Sequence, residues 1–228
     1  MKLERLSERI WVYPYEEKRD RPNLSYIRGD KWSLVVDAGH SADHVTEFYK
    51  ALKEEGLPLP LLTVITHWHW DHTLGMHAVN GTTIANERTN AHLTEFKQRI
   101  ETEGTGFFLD MDPSIRYEYE DGKPVIVTLP DMVFSGSVTL NAGNCIIKIF
   151  QAEAPHTDDS TLVHVPDEKV LILGDCTGGT FPDWDFDQEL GNKLAETIKE
   201  TGPERCLPGH WSVLPTDVII KELLEGEG

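Results

Sequence analysis

The sequence predicts an α/β fold in which two β-sheets pack together and helices cover their outer faces. Strand-like apolar runs alternate with amphipathic helical segments, and this order of elements recurs in the two halves of the chain. No glycine- or serine-rich linker and no shift in composition separates the halves. We therefore expect the 228 residues to form one domain, 1–228, with a helical or lid insertion at about 86–122.

The first half contains short strand patterns and one clear helix. Ser41 is a suitable N-cap for the helix, in which apolar side chains recur at helical spacing until Gly56 and Pro58 end it. β-branched, aromatic and aliphatic side chains between turn signals predict four strands: residues 10–13, 25–27, 33–37 and 61–65.

The second half begins with a long polar helix at about 87–103, which a glycine-containing segment at 104–108 interrupts. A helix at about 187–201 ends at Gly202 and Pro203, and a last helix is expected at about 215–224. Four further strands are predicted, of which the last two form a hairpin: residues 125–129, 144–150, 161–166 and 169–173.

Composition narrows the classes of partner. The net charge is −18, whereas nucleic-acid binding uses clustered lysine and arginine, so nucleic acid is not an expected partner. No signal-peptide pattern or membrane-spanning apolar run is visible, and the cysteines Cys145, Cys176 and Cys206 are too scattered for a disulfide framework. We expect a cytoplasmic protein that acts on a small molecule without membrane association, and the sequence does not indicate its oligomeric state.

The segment 66–72 (Thr-His-Trp-His-Trp-Asp-His) has the highest density of metal-ligand side chains in the chain. His67, His69, Asp71 and His72 lie within six consecutive positions directly after the apolar run 61–65. Imidazole and carboxylate are ligands for zinc and related divalent metals. Ordinary polar loops are built from glycine, proline, asparagine, aspartate and serine, so a histidine-rich loop without a metal is the weaker interpretation.

Three later positions repeat the same arrangement. His156 lies in a turn between two predicted strands, Asp175 follows the apolar run that ends at Gly174, and His210 follows a Pro-Gly turn. Ligand-type side chains therefore recur where strands leave the core, which is where α/β proteins tend to build sites.

This combination resembles the metallo-β-lactamase superfamily over nearly the whole chain. The features that carry the resemblance are Asp37-Ala38-Gly39, His-x-His-x-Asp-His at 67–72, the isolated His156, Gly174-Asp175 and Pro208-Gly209-His210. The resemblance implies a four-layer αβ/βα sandwich of two mixed β-sheets, with a metal site at one edge.

The resemblance also implies a dinuclear site. One metal position matches His67, His69 and His156, and the other matches Asp71, His72 and His210, with Asp175 bridging the two. The expected cofactors are two divalent ions, zinc first, with iron or manganese as alternatives. Some β-lactamases of this family have a cysteine where Asp175 stands. Here the cysteine is the next residue, Cys176, which should point to the other face.

Several neighbours of these ligands are candidates for supporting roles. Asp37 is a candidate for orienting a ligand histidine through its second ring nitrogen, although a turn carboxylate is an equal alternative. Phe181, Trp211 and other aromatic side chains near the ligands suggest a partly apolar pocket. The aromatic residues proposed to line it are Trp68, Trp70, Phe107, Phe108 and Trp184.

The implied activity is metal-dependent hydrolysis of a small ester, thioester, lactone or amide. Bound dications activate water and polarise the electrophile, and Asp71 is the catalytic candidate because it can accept a hydrogen bond from the attacking water. Two alternatives stay open: a phosphodiesterase or ribonuclease of the same superfamily, and a mononuclear iron dioxygenase. A β-lactamase is a weaker interpretation, since Asp175 replaces the cysteine and no export signal is visible.

Overall fold

Two β-sheets packed face to face form the centre of the molecule. The structure is a computed structural model that describes residues 1–226. Within them, the first sheet has seven strands whose spatial order follows the chain. They are β1 (Glu4–Arg5), β2 (Ile10–Tyr13), β3 (Leu24–Arg28), β4 (Ser33–Val36), β5 (Leu62–Val64), β6 (Thr82–Asn86) and β7 (Met132–Phe134).

The second sheet has six strands, and each strand again lies beside its neighbours in the chain. They are β8 (Ser137–Asn141), β9 (Ile146–Gln151), β10 (Thr161–Val165), β11 (Val170–Gly174), β12 (Arg205–Pro208) and β13 (Leu214–Pro215). Both sheets are mixed, because β4 to β7 pair in parallel in the first sheet and β11 pairs in parallel with β12 in the second.

Helices α1, α3, α5 and α6 begin at residues whose side chains cap them. Ser41 accepts a hydrogen bond from the His44 amide, Asp187 accepts from two amides of α6, and Gly202 ends that helix in the left-handed conformation. The helices are α1 (Ala42–Glu54), α2 (Trp70–Thr73), α3 (Glu87–Glu103), α4 (Gly106–Leu109), α5 (Pro113–Glu118), α6 (Gln188–Thr201) and α7 (Thr216–Glu225).

The central strands β2, β4, β5, β10 and β11 are buried on both faces, so their sequences are nearly continuous apolar runs. In β2, Ile10 and Val12 point between the sheets, whereas Trp11 and Tyr13 join a cluster that packs against α1. The α3–α5 region packs on the first sheet through a third cluster, and α6 and α7 cover the second sheet through a fourth. The predicted four-layer sandwich of two mixed sheets flanked by helices is therefore confirmed.

Two local predictions differ from the structure. Residues 125–129 form no strand, and Val127 is buried among the side chains of the α3–α5 region. Strands β1, β6, β7 and β8 are among those that were not predicted, and the glycine-containing segment after α3 forms the short helix α4. The segment 86–122 thus contributes three helices to one face of the first sheet.

The parallel strands place their carboxyl ends at one edge of the sandwich. In the first sheet these are the ends of β4 and β5, and in the second sheet the ends of β11 and β12. Among residues 1–226, no helix is both long and apolar enough to cross a bilayer.

Candidate metal centre

The ligand-type side chains come together at this edge although they are far apart in sequence. His67 and His69 follow β5, and the short helix α2 then carries Asp71 and His72. From the second sheet, Asp175 follows β11 and His210 follows β12, while His156 lies in the loop between β9 and β10. The seven residues form two adjacent groups of donors.

The first group consists of three buried histidines, His67, His69 and His156, whose donor atoms lie within 4.8 Å of one another. The His156 Nε2 is 3.0 Å from His69 Nδ1. The opposite ring nitrogen of His156, Nδ1, is 2.7 Å from the carbonyl oxygen of Gly179, to which it donates. That bond leaves the Nε2 lone pair of His156 directed towards the group.

The second group combines carboxylates with imidazoles: Asp71, His72, Asp175 and His210. Asp71 Oδ2 is 2.9 Å from His210 Nε2 and 3.0 Å from His72 Nε2. Asp175 Oδ2 lies 3.2 Å from His72 Nε2 and 3.4 Å from His210 Nε2. The same oxygen is 3.9 Å from His156 Nε2, so this carboxylate lies between the two groups.

The donor set fits divalent metal ions. His67 Nε2 and Asp175 Oδ1 are buried and have no hydrogen-bond partner within the described residues. A buried polar atom without a partner is costly, and a cation at the centre of each group would satisfy it. The first group offers three imidazoles, and the second offers two imidazoles and two carboxylates. Divalent transition metals prefer these ligand types.

The environment holds His67, His69 and Asp71 in the protonation states that metal binding requires. Burial and the neighbouring His72 lower the pKa of His67 well below its ordinary value, and burial together with His156 lowers the pKa of His69 to about 3. Burial alone would raise the pKa of Asp71, but His72 and His210 hold it well below its ordinary value. Neutral imidazole and ionised carboxylate are the forms that bind metals.

The two imidazoles of the second group differ in this respect. Burial lowers their pKa values, but the neighbouring Asp71 and Asp175 outweigh it. The pKa of His72 lies well above its ordinary value, and that of His210 is raised to about 10. A metal ion in the second group would therefore displace their protons.

Asp37 lies behind the second group and holds one of its ligands. His72 Nδ1 donates to Asp37 Oδ2 over 2.8 Å, which leaves His72 Nε2 directed towards the centre. The carboxylate also accepts from the backbone amide of Thr66 over 2.8 Å and from its hydroxyl over 3.0 Å. These contacts support the orienting role over a simple turn carboxylate.

Gly209 leaves the space that Asp175 occupies. A Cβ at this position would lie 2.0 Å from Asp175 Oδ1 and 3.1 Å from the His72 ring. The Pro-Gly-His turn therefore needs glycine for close approach. Cys176 points away from the site into the apolar cluster around Leu194, where burial raises the pKa of its thiol well above the ordinary value.

A pocket of about 420 Å³ opens above the two groups. Trp70 and Trp184 line it as predicted, together with Phe181 and Trp211. Its other lining residues are Asp20, His69, Asp71, Asp112, Ser114, His156, Gly174, Asp175, Thr177, Gly178, Gly179, Pro208, Gly209 and His210. No periodic or motif signal in the sequence marks Asp20 or Asp112, and neither was predicted.

The predicted lining by Trp68, Phe107 and Phe108 is corrected, because none of the three borders the pocket. All three pack in the apolar cluster beneath α3–α5, where Trp68 contacts the rings of His92 and Phe96. Trp68 precedes α2 and packs towards α3, whereas Trp70 is the first residue of α2 and borders the pocket.

The remaining histidines have structural contacts. His40 is fully buried and its Nδ1 contacts the carbonyl oxygens of Arg19 and Asp20 rather than the metal ligands. His77 Nδ1 donates to the Leu74 carbonyl, and His92 pairs with Asp158 over 2.7 Å.

Comparison with known proteins agrees with this geometry. A family model described as the metallo-beta-lactamase superfamily matches residues 18–210, a range that contains all seven ligand candidates. Proteins named acyl-coenzyme A thioesterase MBLAC2 from Homo sapiens and Gallus gallus are 22% and 23% identical to the chain. Each alignment covers 93% of this chain, and they cover 81% of the human and 80% of the chicken protein.

Solved structures share the architecture. A metallo-beta-lactamase from Pontibacter korlensis superposes with a TM-score of 0.71 at 16% identity, covering 98% of this chain and 97% of that one. A metallo-beta-lactamase from Hirschia baltica gives a TM-score of 0.68 at 16% identity over 99% and 97% of the two chains. With the family model spanning most of its length and every ligand candidate, this chain belongs to the metallo-beta-lactamase superfamily and is a metallo-hydrolase.

Proposed function

We propose that this chain hydrolyses small acyl esters and thioesters at a dinuclear centre, with zinc as the metal. The observation that carries the proposal is the pair of adjacent donor groups joined by Asp175 at the base of a pocket. His67, His69 and His156 would hold one ion, and Asp71, His72 and His210 the other. Two divalent ions there would supply hydroxide at neutral pH and polarise the acyl carbonyl.

The chain's own residues position the reaction. Asp71 Oδ2 faces the Nε2 atoms of His210 and His72 within the second group, so the other carboxylate oxygen, Oδ1, would accept a hydrogen bond from the attacking water. Asp175 sets the spacing of the two groups, and Asp37 keeps His72 in the required ring orientation. Trp70 and Phe181 form an apolar wall that excludes bulk water from the acyl group.

Thioesters are the first substrates to test. The relatives from Homo sapiens and Gallus gallus are named acyl-coenzyme A thioesterases, although only about a quarter or less of their residues are identical to this chain. A thiol has a pKa near 8.5, so a thiolate can leave without a proton donor in the site, whereas an amide nitrogen needs one. The free cysteines are compatible with a reducing compartment, and we place the protein in the cytoplasm.

The decisive experiment is metal analysis combined with substitution of one ligand. We expect two equivalents of zinc per chain, thioesterase activity that a chelator removes and zinc restores, and loss of turnover in His69→Ala with the fold retained. His77→Ala is the matched control, because His77 is exposed and its Nδ1 contacts only the Leu74 carbonyl.

Two results would contradict the proposal. Full activity of His69→Ala on a proven substrate would show that His69 is not a required ligand of the metal centre. One equivalent of iron with oxygen consumption would instead indicate an oxygenase.

A further inference from the structure

Outside the metal centre, the charged side chains that line the pocket are all acidic. Apart from the ligand candidates, its ionisable lining residues are Asp20 and Asp112, and no lysine or arginine among the described residues lines it. Nearby guanidinium groups are already paired: Arg116 with Asp110, and Arg19 with Glu118 and Glu120. Above the metal centre, a substrate therefore meets carboxylates and no unpaired lysine or arginine of the described residues, while the dications would lie at the base of the pocket beside Asp71 and Asp175.

Asp20 is held rigidly with one oxygen available. Trp70 Nε1 donates to Asp20 Oδ2 over 2.9 Å, and the backbone amide of Asp20 donates to the Glu17 carbonyl over 3.0 Å. The Asp20 carbonyl also contacts His40 Nδ1 over 3.0 Å. These contacts fix the carboxylate in the pocket wall and leave Oδ1 as the acceptor for a ligand.

Aromatic faces lie beside these carboxylates at the pocket mouth. The side chains of Trp184 and Trp211 are 60% and 64% exposed although both line the pocket. Phe181 packs edge-on against both Trp70 and Trp184, with ring centroids 5.1 and 5.7 Å apart. Exposed indole faces combined with carboxylates form the kind of environment that binds organic ammonium groups.

We propose that this pocket selects acyl substrates that carry a positively charged ammonium group, with Asp20 as the specificity-determining residue. The inference rests on the proposed acyl hydrolysis and narrows its substrate class. Carriers with several phosphates are disfavoured at the walls and mouth of the pocket, because Asp20 and Asp112 would repel them and no basic side chain in the described lining would compensate. The proposed substrates therefore differ from the acyl-coenzyme A that the names of the thioesterase relatives give.

Three thioesters with the same acetyl group test this selectivity: cationic acetylthiocholine, neutral S-acetyl-N-acetylcysteamine and anionic acetyl-coenzyme A. Release of the thiol is measured for the zinc-loaded protein. We expect kcat/KM to fall in that order, with the preference for the cationic ester weakening as salt is added. An equal or higher kcat/KM for acetyl-coenzyme A than for acetylthiocholine would overturn the inference while supporting thioester hydrolysis.

Asp20→Asn tests the residue itself. Asparagine tolerates the left-handed backbone of Asp20, so the loop should be retained. The ratio of kcat/KM for the cationic ester to that for the neutral ester should fall about tenfold, the loss expected for one partly desolvated ion pair. Asp121→Asn removes an exposed carboxylate outside the pocket and should leave this ratio unchanged. An unchanged ratio in Asp20→Asn would show that Asp20 does not take part in recognition of the cationic ester.

A binding measurement separates the inference from the proposed reaction. Choline is titrated into the zinc-loaded protein and followed by calorimetry, which requires no turnover. Binding that weakens about tenfold in Asp20→Asn supports a cation-selective pocket even if none of the three thioesters is cleaved, in which case only the proposed reaction fails. Equal affinity of the two proteins for choline, or no binding to either, would overturn the inference.

Discussion

At the scale of single residues, Asp37 shows how one side chain links backbone conformation to the metal centre. It is a non-glycine residue in the left-handed region, with a φ of 68°, directly after β4. This conformation turns its carboxylate back towards Thr66 and His72. The carboxylate accepts hydrogen bonds from the Thr66 amide and from His72 Nδ1. The sequence predicts a ligand-orienting role and a turn carboxylate equally well, because the difference depends on a contact between residues 35 positions apart.

Asp37→Asn is expected to weaken metal binding while keeping the fold. The amide retains an acceptor for Thr66 but loses the carboxylate that fixes the His72 ring, so metal affinity should fall about 10–100-fold. Competition with a chelator measures it. Asp131→Asn is a matched control, since Asp131 accepts from the amide and hydroxyl of Thr83 in the same way but lies away from the centre. Equal affinities of Asp37→Asn and the wild type would show that Asp37 does not support the ligand.

At the scale of elements, a buried ion pair fastens α5 to the loop between β2 and β3. Arg21 and Glu118 are 2% and 3% exposed, and the Arg21 Nε and Nη2 groups donate to Glu118 over 2.9–3.1 Å. The same loop carries Asp20, and α5 begins just after Asp112. The pair therefore holds together the two segments that bring carboxylates to the pocket.

Glu118→Gln should destabilise the protein strongly. Removing one partner leaves the Arg21 charge buried and incompletely paired, which costs about 3–5 kcal/mol, whereas the double variant Arg21→Met/Glu118→Leu should recover part of that loss. Urea unfolding measures both. Arg116 lies on the same helix and forms an exposed ion pair with Asp110, so Arg116→Met should have little effect on the free energy of unfolding. A Glu118→Gln protein as stable as Arg116→Met would show that the pair contributes only surface electrostatics.

The sequence predicts elements well where local pattern and tertiary contacts agree. Ser41 and Gly202 bound their helices as expected, because capping depends on neighbouring residues alone. The strand predicted at 125–129 is wrong because β propensity cannot supply a partner strand: those residues pack against helices. Met132–Phe134 pairs with β6 instead, although this strand is short and its apolar residues Met132 and Val133 are half-exposed.

At the scale of the whole molecule, the candidate residues of the metal centre can be predicted from the sequence, whereas the residues that line the pocket cannot. The ligand candidates follow strand ends in a spacing that is visible along the chain, so the sequence alone predicts His67 and His210 as ligands. Asp20, Asp112 and Trp184 reach the pocket from three separate loops, and their meeting depends on how the sandwich closes. Substrate preference is therefore a property of tertiary structure in this chain.

Acid stability of the whole molecule should reflect the buried His44 on α1. Burial first, then the positive charge of Arg21, lowers the pKa of His44 well below its ordinary value of 6.5. Below pH 6.5 the unfolded chain binds a proton that folded His44 does not, so its contribution to stability is complete above pH 6.5 and is lost as the pH falls. At pH 5 the loss is about 2 kcal/mol.

His44→Asn tests this contribution, because asparagine keeps an acceptor for the His40 amide but does not titrate. Urea unfolding of both proteins at about pH 7.5 and pH 5 gives the free energies of unfolding. Other groups titrate equally in the two proteins, so the difference between them isolates His44. The variant should lose about 2 kcal/mol less than the wild type over this range. Identical losses would mean that folded His44 takes up its proton as readily as the unfolded chain, and that burial does not keep this side chain neutral.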